Sequence, residues 1–68
     1  MVEIFKTDIS TEKEAKKVKR KLENLFPDYK INFDLEDCDN ILRLENNYID
    51  ISLVISVLTE HKIEWLGD

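Results

Sequence analysis

YKINFDLEDCDNILRLE, residues 29–45, alternates apolar and polar side chains over its first half. Tyr29, Ile31, Phe33 and Leu35 fall on one face, and Lys30, Asn32, Asp34 and Glu36 on the other. That period of two is the signature of a strand with one face buried and one in water. The run DCDN at 37–40 is a turn in composition, and ILRLE at 41–45 reads as a strand returning beside the first. A hairpin alone cannot bury its apolar face, so the flanking sequence must supply the cover.

Both flanks do so. VEIFKTDI, residues 2–9, is rich in β-branched and aromatic residues and predicts a first strand, with either Ile4 or Phe5 turned to the core. Thr11 followed by Glu14 has the spacing of a capping box, with Ser10 as a competing cap. From there Ala15, Val18, Leu22 and then Leu25 or Phe26 recur along one helical stripe, which Pro27 ends. Downstream of the hairpin, Asp50 can cap a second helix whose apolar positions are Ile51, Val54, Ile55 and Leu58, widened by Leu53 and Val57. IEWL, after His61 and Lys62, predicts a short fourth strand. Strand, helix, strand, strand, helix, strand, with right-handed crossovers, gives an α+β ferredoxin-like sandwich: two helices on one face of a four-stranded antiparallel sheet.

Sixty-eight residues, 43% of them hydrophobic and 37% charged, make one small globular domain over 1–68. The longest apolar run, ISLVISVL, is too short for a bilayer, and Glu3, Lys6 and Asp8 interrupt any leader-like stretch, so a cytoplasmic protein without a membrane partner is expected. A single cysteine forms no internal disulfide. The net charge of −5 makes nucleic acid an unlikely main partner, and ILRLE offers no aromatic platform on which bases could stack.

With ISTEKEA, residues 9–15, between first strand and first helix, the chain resembles the heavy-metal-associated domains of copper chaperones and metal-transporting ATPases. That family carries Met-x-Cys-x-x-Cys-Ala in this loop. Its two thiolates hold a soft ion such as Cu(I) or Zn(II). Here Ile9 matches the Met, Thr11 the first Cys, Glu14 the second and Ala15 the Ala. The resemblance covers nearly the whole chain and implies the fold; both thiols are missing, which implies a metal site lost and replaced by a helix cap. The acylphosphatases share the architecture but need an anion-cradling loop after the first strand, where KTDIST presents an acid.

Four features remain for function. Cys38 sits among Asp34, Glu36, Asp37 and Asp39, but the spacing lacks the glycine and later bidentate Glu of a calcium loop. A polar turn with the thiol half-buried is the expected reading; weak metal binding by Cys38, Asp37 and Asp39, as in a metal carrier, is the alternative. His61 is expected to complement the carbonyls at the end of the second helix. A Cys38–His61 catalytic pair would lack an orienting group and an oxyanion site, so no enzymatic activity and no cofactor are expected. Lys16, Lys17 and Arg20 lie on a strongly basic helix, which is either a solvated face or a docking surface for an acidic partner. Trp65 lies on the terminal strand, an edge less guarded by charge than the second strand, and is the expected contact region for self-association. The reading is a small non-enzymatic interaction module with an unknown protein partner, monomeric or weakly homodimeric.

Overall fold

A computed structural model describes residues 1–36 and 38–67. Six elements follow in order: β1 (Val2–Thr7), α1 (Glu12–Leu25), β2 (Lys30–Asp34), β3 (Ile41–Glu45), α2 (Ile51–Val57) and β4 (Ile63–Gly67). The sheet order is β2-β3-β1-β4 with every pairing antiparallel, which is the ferredoxin-like α+β arrangement.

The register of the sheet settles which side of β1 is inside. Phe5 lies opposite Leu42 of β3, and Leu42 opposite Phe33 of β2. In the next layer Glu3 faces Leu44, which faces Ile31. Phe5, Leu42, Leu44 and Ile31 are buried together with Ala15, Val18 and Leu22 of α1, and with Val54 and the adjoining Leu58 at the end of α2. Ile4 is half-buried on the other face, beside Arg43. Burying each large aliphatic side chain contributes about 1.5–3 kcal/mol, so these few residues supply most of the driving force available to so short a chain.

α1 begins where Thr11, in extended conformation, accepts the Glu14 backbone N–H on its side chain. Thr11, not Ser10, is therefore the cap. The stripe continues through Phe26, half-buried and stacked on Tyr29 with ring centroids 4.7 Å apart, while Leu25 turns outward. α2 is short. Asp50 caps it through the Leu53 N–H at 3.0 Å, and Val54 and Leu58 are buried, but Ile55 and Leu53 are exposed. The expected wide apolar face of this helix is thus narrower than the sequence pattern implies, because seven residues complete only two turns.

Between β2 and β3 the chain turns as expected, and Asn40 takes a positive φ of 48° that asparagine tolerates better than most residues. The turn is tied to the end of β1. Buried Thr7 donates its hydroxyl to the Asn40 carbonyl at 2.6 Å, and its backbone N–H donates to the Asp39 carbonyl at 3.2 Å.

Candidate functional site

The loop between β1 and α1 is where the family resemblance places a metal. Ile9 is fully buried and its N–H donates to Thr7 Oγ1 at 3.1 Å. Thr11 Oγ1 accepts the Glu14 N–H at 3.2 Å and donates to Glu14 Oε1 at 3.3 Å. The Thr11 and Glu14 side chains, at the positions the resemblance would align with cysteines, thus engage each other at the helix start. The carboxylate takes the hydroxyl proton instead of the N-cap N–H of a standard capping box. A hydroxyl and one carboxylate are hard oxygen donors, poorly matched to Cu(I) or to a thiolate-type zinc site.

The hairpin turn presents Cys38 to solvent. This corrects the expectation of a half-buried thiol: the thiol is exposed in a turn whose next two residues are tied to Thr7 through their backbone carbonyls. Asp39 lies 3.6 Å from Lys6 Nζ in a partly exposed ion pair. Asp37, the third member of the alternative metal set, lies outside the described residues. Among the described residues no three His, Cys, Asp or Glu side chains gather in a way that would hold an ion.

His61 also departs from expectation. Its Nδ1 lies 3.2 Å from Asp8 Oδ1, joining the segment after α2 to the end of β1, while its backbone N–H donates to the Leu58 carbonyl. The ring therefore bridges two loops and does not engage the terminal carbonyls of α2.

The basic helix splits its charges between two hollows. Lys16 and Lys19 line a groove of about 510 Å³ between α1 and β2, whose other wall is Asn32 to Glu36. Lys17 and Lys21 border a smaller hollow with Leu58, Glu60 and His61. Arg20 is exposed. Trp65 is on β4, at the sheet edge opposite β2, so the structure does not bring it together with Lys16, Lys17 and Arg20.

Trp65 has a partner that the sequence reading missed. Glu3 is only 3% exposed on the helix-facing side of β1, and Trp65 Nε1 donates to its Oε2 at 2.7 Å. Trp65 lies opposite Phe5, so the bond runs diagonally to the residue two positions along the same face, within reach of a long aromatic side chain. The alternation of VEIFKT held the clue: any register that buries Phe5 buries Glu3 and Thr7 with it. Trp65 nonetheless stays 48% exposed, with Leu66 beside it at 49%.

The chain matches no protein-family model, no curated protein and no solved structure. Among the described residues no helix is long and apolar enough to cross a membrane.

Proposed function

We propose that the chain is a small non-enzymatic interaction module built on a heavy-metal-associated-like fold whose thiol site has been exchanged for a helix cap. The observation that carries this reading is the reciprocal pair of contacts between Thr11 and Glu14, the positions where the family would place its metal-binding cysteines. Side chains occupied in starting α1 are not free to receive and pass on a soft ion without unravelling that start.

What the fold then offers a partner is surface. Lys16, Lys17, Lys19 and Arg20 are all exposed on α1, and such a cluster attracts an acidic protein surface by long-range steering even in a chain of net negative charge. Cytoplasmic residence fits the lone cysteine of the sequence.

The test is a paired affinity capture, with the native chain and with Lys16→Gln, Lys17→Gln, Arg20→Gln as baits, washed at rising salt. The reading requires a protein held by the native bait, absent from the neutralised one, and released as screening increases. Identical captures from both baits would show that the basic face recruits no partner, and turnover of any substrate by the native chain would overturn the non-enzymatic reading.

A further inference from the structure

β2 forms one edge of the sheet, paired on one side with β3. Its ladder to β3 runs from Lys30 to Asp34 without a register shift. The other edge is different. Between β1 and β4 the register slips, Ile4 facing Gly67 while Phe5 faces Trp65, which leaves Leu66 as an extra residue, and Gly67 takes a φ of +101°. A bulge of this kind bends and twists an edge, one of the ways by which sheets discourage further pairing. The regular edge is therefore β2, despite its charges.

Those charges are complementary to themselves. Laid antiparallel on a second copy about a two-fold axis at Asn32, the sequence KINFD puts Lys30 opposite Asp34, Ile31 opposite Phe33 and Asn32 opposite Asn32, each unlike pair occurring twice. Only this register matches all five residues of the strand with one another. Lys30, Asn32 and Asp34 are exposed on the open face, where opposite charges directly across a strand pair attract. Buried Ile31 and half-buried Phe33 share the helix-facing side, and Phe33 lines the groove bounded by Lys16 and Lys19. The lysines can keep their ammonium groups in water while their stems cover the added apolar surface. Next outward Tyr29 would meet Leu35, and beyond them Asp28 would meet Glu36, a like-charge pair that limits how far the ladder runs past β2.

We propose that β2 is a homophilic docking edge. Two copies join through antiparallel β2–β2 pairing about Asn32, making one continuous eight-stranded sheet with the helices of both copies on the same face. The inference stands on the edge and is independent of which outside protein the basic helix meets.

Sedimentation of the native chain from about 10 μM to about 1 mM tests for a reversible dimer. Asp34→Lys and Lys30→Glu each replace two attractive pairs by two repulsive ones. Each variant alone should dissociate at least about tenfold more readily than the native chain. Mixed in equal amounts they should recover the dimer, because Glu at position 30 then faces Lys at position 34, and native Lys30 faces native Asp34. Lys30→Glu also places a like charge opposite Glu45 of its own chain, whereas Asp34→Lys faces Ile41 and carries no such conflict, so thermal melts of both variants separate misfolding from lost pairing. A native chain that stays monomeric throughout, a dimer indifferent to both swaps, or single variants whose mixture associates no better than either alone overturns the proposal.

Discussion

The indole N–H of Trp65 donates to the Glu3 carboxylate at 2.7 Å, joining the last strand to the first across the helix-facing side of the sheet. Glu3 is otherwise surrounded by the core it shares with Phe5 and Leu44. A buried carboxylate is tolerated when a donor meets it, and leaving it without one costs the desolvation of the charge.

Trp65→Phe should therefore destabilise the fold by about 1–3 kcal/mol, more than the loss of contact at a half-exposed position would. Glu3→Gln in the Trp65→Phe background should recover part of that loss, since a neutral amide is cheaper to bury than a carboxylate. Urea unfolding of both single variants and the double variant gives the coupling directly. Strict additivity would show that the negative charge of Glu3 adds nothing to its pairing with the indole.

The helix cap carries its own expectation. Thr11→Ala should cost about 0.5–2 kcal/mol, whereas Ser10→Ala should change stability by less than about 0.5 kcal/mol, as for an ordinary exposed position. Equal losses at the two sites, read from denaturant midpoints, would reassign the cap.

Two leucines of α1 separate the inner stripe from the outer face. Leu22 is fully buried and Leu25 is half exposed. Leu22→Ala should cost about 2–5 kcal/mol, enough to unfold much of so small a domain. Leu25→Ala should melt within a few degrees of the native chain. The order of the two melting temperatures decides the phase of the helix.

Gly67 holds the bulge of β4 at a φ that side chains with a Cβ rarely adopt, although no neighbouring atom lies within 4 Å of where that Cβ would sit. Gly67→Ala should therefore destabilise by about 1 kcal/mol through backbone strain alone. An unchanged midpoint in the same urea series would mean that this backbone relaxes freely.

Much of this architecture was legible in the residues, for physical reasons that differ along the chain. Tyr29 to Glu36 could be read because one buried face imposes strict alternation, and Asp50 because a short acid before an apolar run caps a helix. Ile4 against Phe5 could not be settled from VEIFKT by hydrophobicity, since a central strand carries apolar side chains on both faces. Glu3 was hidden by the ordinary expectation that carboxylates face water; its burial depends on a tryptophan more than sixty positions away. His61 was misplaced because its partner, Asp8, is contributed by the far end of the chain. At the candidate site, the cap at Thr11 was local and therefore readable. The exposure of Cys38 was not, because a small apolar side chain in a polar turn can point to either side.

Thr11 and Glu14 are proposed to cap a helix at the positions where the heavy-metal-associated domains carry cysteines. An amide-shift titration with Cu(I), Zn(II) and Ca(II), run on the native chain and on the Thr11→Cys, Glu14→Cys double variant, tests this. No saturable shifts are expected in residues 9–15 or 34–40 of the native chain, whereas the double variant should bind Cu(I) or Zn(II) tightly and stoichiometrically within the β1–α1 loop. Saturable native shifts at either segment, or a double variant that remains indifferent to soft ions, would overturn the proposal.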